Sequence, residues 1–80
     1  MPRGKIVKVE ARGALCPLPT VMVSLALEKM GPGELVDLLA DDPTTRRDLV
    51  AWCGEFGHRV LEMAELRRGF RVRIKKKYEN

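Results

Sequence analysis

Two prolines separated by one residue, Pro17 and Pro19, limit the structure that the chain can form directly after Cys16. Proline lacks an amide hydrogen and disrupts helix interiors and central strands, but it is well tolerated in the first turn of a helix. An apolar run then continues to Met30, and Gly31-Pro32-Gly33 ends it. The pattern predicts a helix from Pro17 to Met30, with Cys16 as its N-cap.

A cysteine at a helix N-terminus faces the positive end of the helix dipole and several free backbone N–H groups. Both features favour the thiolate over the thiol. We therefore expect the pKa of Cys16 to fall from its reference value of about 8.5 toward neutrality. Pro17 and Pro19 stiffen the turn, so we expect the sulfur to be exposed at the surface. The sequence predicts a reactive cysteine on a small scaffold.

The other apolar patterns predict four strands. Residues 5–11 alternate in polarity, as a half-buried strand does, and residues 34–40 are apolar on both faces apart from Asp37, as in an interior strand. Two further strands are predicted over 59–64 and 69–76, and the short segment between them suits a hairpin.

A second helix is predicted between these strands, with Asp42 as its N-cap, Pro43 at its first position and Gly57 at its end. Its apolar side follows helical spacing and is expected to be buried: Leu49, Trp52, Cys53 and Phe56. In the first helix, polar residues recur at every fourth position and mark the expected solvent face: Thr20, Ser24 and Glu28.

The element order βαβαββ predicts an α/β (α+β) fold. Right-handed crossovers place both helices on one face of a four-stranded mixed sheet, which gives a two-layer sandwich. Eighty residues make a single domain near the lower size limit for one hydrophobic core. We assign residues 1–80 to that domain, with 77–80 frayed and Trp52 as the largest core residue.

The net charge of +4 comes from basic residues near the two ends of the chain. Three of them are expected to face outward on the last strand: Arg71, Arg73 and Lys75. They form either a solvated surface or a binding surface for a partner. Three aromatic residues are expected to be buried: Trp52, Phe56 and Phe70. Without an exposed stacking surface, direct nucleic-acid binding is not expected.

The compartment is predicted from what the sequence lacks. Its first residues show no signal-peptide pattern, and its longest apolar run is shorter than a membrane span. Two cysteines do not form the disulfide framework of a small secreted domain. We expect a cytoplasmic monomer with free thiols and no membrane association.

The loops that follow parallel strands lie at the same edge of a sheet. Cys16 follows the first strand, and Asp41 and Asp42 follow the second, so we expect these three residues to be neighbours. Arg12 and the pair Arg46 and Arg47 are expected near the same edge, where a positive charge from Arg12 or from the pair would favour the thiolate.

Cys53 and His58 are expected at the opposite end of the second helix, roughly 20 Å from Cys16. That distance excludes a Cys16–Cys53 disulfide and a Cys–His nucleophile pair. A zinc site would need four clustered ligands, and no metal or cofactor is implied. We interpret Cys53 as a core residue, with a resolving thiol as the alternative, and His58 as structural. A lone thiolate is best suited to exchange with another sulfur atom, so sulfur transfer is the predicted reaction class.

Three segments together resemble the TusA/SirA-like sulfur carriers: Arg-Gly-Ala-Leu-Cys-Pro-Leu-Pro at 12–19, Asp-Asp-Pro-Thr-Thr-Arg-Arg-Asp at 41–48, and Gly57-His58 with the closing basic strand. The resemblance covers residues 5–77. It implies that Cys16, in a CPxP motif, carries sulfur as a persulfide. The supporting residues are expected to be Pro17, Pro19, Arg12, Asp41, Asp42 and Arg46.

The resemblance also implies partners. A cysteine desulfurase or a rhodanese-like protein would load the sulfur, and a downstream relay protein would receive it, toward 2-thiouridine formation in tRNA. Other members of the family serve molybdenum-cofactor assembly or sulfur oxidation. Two positions depart from the family pattern: Glu10 stands where aspartate is common, and Ser24 where a basic residue is common. A regulatory adaptor in which Cys16 is incidental stays an alternative.

Overall fold

The computed structural model describes residues 6–77 and contains six elements. They are β1 (Ile6–Glu10), α1 (Leu18–Glu28), β2 (Leu35–Ala40), α2 (Pro43–Phe56), β3 (Arg59–Glu65) and β4 (Phe70–Lys75). The predicted order βαβαββ is confirmed, and each strand boundary falls within one residue of its prediction wherever the chain is described. Residue 5 of the first predicted strand and residues 78–80 of the end that was predicted to fray lie outside the described residues.

The four strands form one mixed sheet in the order β1-β2-β4-β3. β1 pairs with β2 in parallel, and β4 pairs antiparallel with both β2 and β3. α1 packs against β1, β2 and α2, and α2 packs against β3. Both helices therefore cover the same face, and the predicted α+β two-layer sandwich is confirmed. The parallel β1–β2 pair is what brings the loops after these two strands to one edge.

The core lies between the sheet and the helices. Alternate residues of the two central strands point into it and are almost completely buried: Val36, Leu38, Ala40, Phe70, Val72 and Ile74. The helices contribute Val23, Leu27, Leu49 and Cys53. This alternation follows from the two-residue period of a strand, which sends every second side chain to the same face.

The start of α1 differs from its prediction. The helix begins at Leu18, Pro17 occupies the N-cap position, and the Cys16–Pro17 peptide is cis. The carbonyl of Pro17 accepts the first helical hydrogen bond from Val21 N–H, at 3.1 Å, which places the cap at Pro17. Cys16 precedes the cap, so its prediction as the N-cap is wrong.

The end of α1 and both ends of α2 depend on local hydrogen bonds. α1 ends at Glu28, two residues before Met30. The N–H groups of Lys29 and Met30 donate to carbonyls three residues back, not four, so the α-helical pattern stops there. α2 has Asp42 at its N-cap position, Pro43 in its first turn and Gly57 as a left-handed C-cap, as predicted. Neither helix of the described chain, residues 6–77, is long and apolar enough to cross a bilayer.

The prediction of which helix side chains are buried and which are exposed is partly wrong. Thr20, assigned to the solvent face of α1, is 6% exposed, because its hydroxyl bonds a carboxylate of α2. Trp52 is only half-buried, and Phe56 is 51% exposed. The Trp52 ring lies 5.2 Å from Phe56 and 5.3 Å from His58, between their centroids. The last turn of α2 therefore carries an aromatic cluster at the surface, and only Phe70 of the three aromatics expected in the core lies there.

Candidate functional site

The loop between β1 and α1 carries Cys16 and is ordered by its own backbone. Ala11 N–H continues the sheet by donating to the carbonyl of Leu39 at 2.7 Å. Ala14 N–H donates to Ala11 at 3.1 Å, which closes a tight turn around Gly13, whose φ is +93°. Glycine adopts this left-handed conformation without the steric cost that other residues have. The loop is therefore fixed before it reaches Cys16.

Two carboxylates from the edge of β2 hold this loop. Asp41 Oδ1 accepts a hydrogen bond from Gly13 N–H at 2.9 Å, and Asp42 Oδ2 accepts one from Cys16 N–H at 2.8 Å. The structure thus brings Cys16, Asp41 and Asp42 together, as the parallel topology predicts. Hydrogen bonds to charged acceptors are stronger than neutral ones, so these two contacts set the position of the sulfur.

The carboxylate of Asp42 has an unusual role for an N-cap. An aspartate at this position commonly accepts a hydrogen bond from an amide of its own helix. Here Asp42 makes no such bond, and Oδ2 accepts instead from Cys16 N–H and from the hydroxyl of Thr45, at 3.2 Å. The residue that begins α2 thereby positions the loop that precedes α1.

The thiol of Cys16 is partly exposed and lies beside negative charge. Burial raises the pKa of Cys16, and the nearby carboxylates of Asp48 and Asp42 raise it further. A hydrogen bond between the thiol and Asp48 acts in the same direction, because it favours the protonated form. The expectation of a lowered pKa is therefore wrong. Cys16 lies outside the helix and against acidic side chains of the neighbouring helix.

The two arginines predicted to support the site are each paired with a carboxylate. Arg12 donates from Nε and Nη2 to Glu10 at 2.9 and 2.8 Å, and this lowers the pKa of Glu10 to about 2. Arg46 lies 2.6 Å from Glu65 and places its guanidinium 4.6 Å above the ring centroid of Phe70. Neither arginine contributes to the pKa shift of Cys16.

Asp48 and Thr20 are part of the site, and sequence reasoning did not single them out. Thr20 Oγ1 donates to Asp48 Oδ2 at 2.8 Å and so links α1 to α2 beside the thiol. A signal for Asp48 does exist in the sequence. Its position continues the inward-facing side of α2 set by Thr45 and Leu49, which are both fully buried. An acidic residue on such a side requires a polar partner.

The opposite end of α2 holds the second cysteine. Cys53 is 1% exposed, and burial raises its pKa to about 11. His58 Nδ1 accepts a hydrogen bond from Lys77 N–H at 3.1 Å, and the pKa of His58 is lowered by burial and by the nearby lysines. Both cysteines are free. Residues 6–77 contain no cluster of side chains suited to hold a metal ion.

An exposed apolar row lies next to Cys16. Its side chains are between 44% and 72% exposed and come from the loop and from one side of α1: Leu15, Leu18, Val21 and Leu25. The first helix is apolar on nearly all sides, and the small core accepts only part of it. The result is an exposed apolar surface that begins at the residue before Cys16 and continues along α1.

Two of the basic residues on the open face of the sheet, Arg71 and Arg73, are engaged with carboxylates. Arg73 donates to both oxygens of the buried Asp37, at 2.7 and 2.9 Å. Arg71 lies 3.6 Å from Asp37 and 3.3 Å from Glu62. These pairs neutralise much of the positive charge that a nucleic-acid-binding surface would require.

Comparisons with known proteins give a consistent result. The sequence model of the family described as sulfurtransferase TusA matches residues 7–76. The sulfur carrier protein TusA of Pseudomonas paraeruginosa is 37% identical over 57 residues, covering 71% of this chain and 72% of the relative. The same-named protein of Pseudomonas putida is 35% identical over 69 residues, covering 86% of each. A crystal structure of a SirA-like protein from Desulfitobacterium hafniense superposes with a TM-score of 0.79 at 28% identity, covering 91% of this chain and 99% of that one.

Proposed function

The chain belongs to the TusA family of sulfur carriers, and from that premise we propose that it receives sulfane sulfur on Cys16 as a persulfide and passes it to an acceptor thiol. The observation that carries this choice of residue is the contrast between the two cysteines. Cys16 lies partly exposed on a loop that Asp41 and Asp42 hold in place. Cys53 is buried, and its pKa of about 11 keeps it protonated at neutral pH.

The transfer requires only a sulfur nucleophile and access to it. The thiolate of Cys16 attacks the outer sulfur of a persulfide on the donor, a new S–S bond forms, and the donor's own S–S bond breaks. The donor leaves as a thiolate, and Cys16 becomes a persulfide. The same exchange in the second half moves the outer sulfur to an acceptor thiol. Sulfane sulfur passes from one thiol to another, so no oxidant or reductant is consumed.

Direct contact between carrier and partner is needed for this exchange, and the surroundings of Cys16 suit it. Leu15 and Leu18 expose apolar surface on either side of the cysteine. Contiguous apolar surface that is exposed on a small protein commonly marks a site of interaction with another protein.

The finer parts of the proposal come from the family resemblance. The donor is a cysteine desulfurase or a rhodanese-like protein, the acceptor is a relay protein, and the pathway leads toward 2-thiouridine in tRNA. The chain acts as one cytoplasmic, monomeric domain. Asp41 and Asp42 hold the cysteine loop, and Pro17 and Pro19 stiffen it, while Arg12 and Arg46 support the site through their ion pairs with carboxylates.

Intact-protein mass spectrometry without reductant tests the role of Cys16. The protein is incubated with a cysteine desulfurase and L-cysteine, and in parallel with a rhodanese and thiosulfate. We expect a gain of about 32 Da that a reductant removes, since a persulfide sulfur is transferable to thiols. The gain should be absent in Cys16→Ser and present in Cys53→Ala. A gain that survives in Cys16→Ser, or no gain from either donor, would contradict the proposed function.

A further inference from the structure

We propose that the hydroxyl of Thr45 positions Cys16 for sulfur transfer, by holding the carboxylate of Asp42 in the orientation in which it binds the Cys16 amide. The inference rests on the proposed persulfide role of Cys16 and adds to it a residue that sets where the sulfur is held. Thr45 acts through Asp42, so it is a positioning residue and not a catalytic one.

The backbone of Asp42 has the conformation of a helix cap, but its carboxylate does not cap α2. Its φ of −86° and ψ of 119° are typical of an N-cap residue, whose side chain can reach the free amides of the first turn. The carboxylate makes no such bond, and the N–H of Thr45 donates to the main-chain carbonyl of Asp42 at 3.0 Å. Two orientations therefore compete, one over its own helix and one toward the cysteine loop. The structure has the second.

The side chain of Thr45 accounts for this orientation. It is fully buried, and a buried hydroxyl without a partner would be costly. Its Oγ1 donates to Asp42 Oδ2 at 3.2 Å, and among residues 6–77 no buried side-chain polar atom lacks a partner. A β-branched side chain has few rotamers, and close packing restricts them further. Thr45 is therefore a fixed donor that keeps Asp42 Oδ2 beside it.

One oxygen joins Thr45 to the cysteine. Asp42 Oδ2 accepts from the hydroxyl of Thr45 and, at 2.8 Å, from Cys16 N–H. Within residues 6–77, this is the only bond that a backbone amide of residues 14–18 donates beyond its own loop. If Asp42 turned away, no other amide of this stretch would hold the cysteine in place.

The position of the Cys16 amide determines the position of its sulfur, because only Cα and Cβ lie between the two atoms. Sulfur exchange needs the two reacting sulfurs aligned and close, and a displacement of about 1 Å can slow such a step strongly. Without the Thr45 hydroxyl, the Asp42 carboxylate can turn to the free amides of α2, and the loop loses this anchor. Exposed apolar side chains such as Leu18, in α1, still offer the donor a binding surface. The transfer step should therefore change more than donor binding.

The first test measures transfer from a cysteine desulfurase that L-cysteine has loaded with persulfide sulfur. The single-turnover rate is followed by intact-protein mass against the concentration of the carrier, which separates the maximum rate from the half-saturating concentration. Thr45→Val keeps the shape of the side chain and removes the hydroxyl, and Thr45→Ser keeps the hydroxyl. Thr44→Val makes the same change at the exposed neighbouring position and is the matched control.

We expect Thr45→Val to lower the maximum rate about fivefold, which is the factor that one hydrogen bond of ordinary strength contributes to an equilibrium. The half-saturating concentration should stay nearly unchanged. Thr45→Ser should restore most of the rate, and Thr44→Val should behave as the parent protein does. A purely structural role of Thr45 would lower the urea midpoint of unfolding and leave the transfer rate of the folded protein unchanged.

The second test begins with the parent protein alone. Two protons directed at Asp42 Oδ2 each lie about 2 Å from it, so they lie within about 4 Å of each other. NMR should therefore show a nuclear Overhauser cross-peak between the Thr45 hydroxyl proton and the Cys16 amide proton. In Thr45→Val, the same amide should exchange with solvent several-fold faster, because its acceptor is no longer held.

A maximum rate that Thr45→Val leaves unchanged would overturn the inference, and so would a reduced rate that Thr45→Ser does not raise. If Thr45→Val does not fold, the cross-peak in the parent protein decides alone: its presence supports the inference, and its absence refutes it. Failure of the proposed function is recognised separately. The parent protein then gains no sulfur, whereas the cross-peak and the amide exchange still show whether Thr45 holds the Cys16 amide through Asp42.

Discussion

Gly69 lies where the chain has no room for a side chain. Its φ is +92°, and a Cβ placed on it would lie 2.2 Å from the carbonyl oxygen of Ala40 and 3.0 Å from Asp41 Cβ. Ala40 pairs with Phe70 in the sheet, so its backbone has little freedom to move aside. Left-handed φ in a residue other than glycine costs roughly 1–3 kcal/mol, and overpacking costs roughly another 1–3 kcal/mol. We expect Gly69→Ala to lower the free energy of unfolding by roughly 2–6 kcal/mol.

Two further glycines separate these contributions. Gly13 has φ of +93°, and apart from its two chain neighbours no atom of residues 6–77 lies within 4 Å of where its Cβ would stand. Gly13→Ala should therefore cost only the conformational part, roughly 1–3 kcal/mol. Gly54 lies inside α2, and beyond its neighbours and the backbone of its own helix a Cβ there would meet no atom of the described chain within 4 Å. Gly54→Ala should therefore stabilise the protein by roughly 0.5–1 kcal/mol, because alanine favours the helix. All three substitutions add the same methyl group.

Urea unfolding followed by circular dichroism measures the three free energies of unfolding. The dependence of the free energy on urea concentration should be the same in all three variants, so that the midpoints can be compared. An 80-residue domain has a total stability of roughly 4–12 kcal/mol, so the expected loss at Gly69 is a large part of it. If Gly69→Ala costs no more than Gly13→Ala, the close approach to Ala40 does not contribute, and the reasoning is refuted.

Two other predictions concern carboxylates. Asp42→Ala should cost about 1–3 kcal/mol and speed hydrogen exchange at the Cys16 amide, because that amide loses its charged acceptor; exchange at an unchanged rate would contradict this. The hydrogen bonds of Arg73 lower the pKa of Asp37 in the folded protein. Its stabilisation should be complete above the ordinary aspartate pKa of about 4 and should disappear as the pH falls through the lower folded value. Urea unfolding at several pH values should show this loss in the parent protein and less of it in Asp37→Asn; equal loss in both would exclude Asp37 as its source.

The features that were predicted correctly from the sequence depend on local chemistry. Pro43 and Gly57 set the ends of α2 within one turn of the helix, and the alternation in the strands identifies the inner face. The parallel β1–β2 pair follows from the crossover helix, and it brought Asp41 and Asp42 to Cys16. Each of these predictions needed only a residue, its neighbours along the chain and a general rule of topology.

The features that were not predicted from the sequence depend on contacts between the two helices. The direction of the Cys16 pKa shift is set by burial and by Asp48, thirty-two positions away, which only the packing of α2 against α1 brings to the sulfur. The same packing buries Thr20. Because α1 is apolar on nearly every side, its periodicity could not indicate which leucines would stay exposed. Phe56 was misplaced for a related reason, since the last turn of α2 forms its aromatic cluster at the surface.

The anchoring of the cysteine loop also determines how freely its length can vary. Surface loops commonly accept inserted or deleted residues. This one is attached at Ala11, Gly13 and Cys16, to β2 and to the residues that begin α2. One additional residue between Gly13 and Cys16 would put either the cysteine amide or the helix start out of register with Asp42. Homologous sequences that keep this sulfur position should therefore vary in the residues of the loop and keep its length.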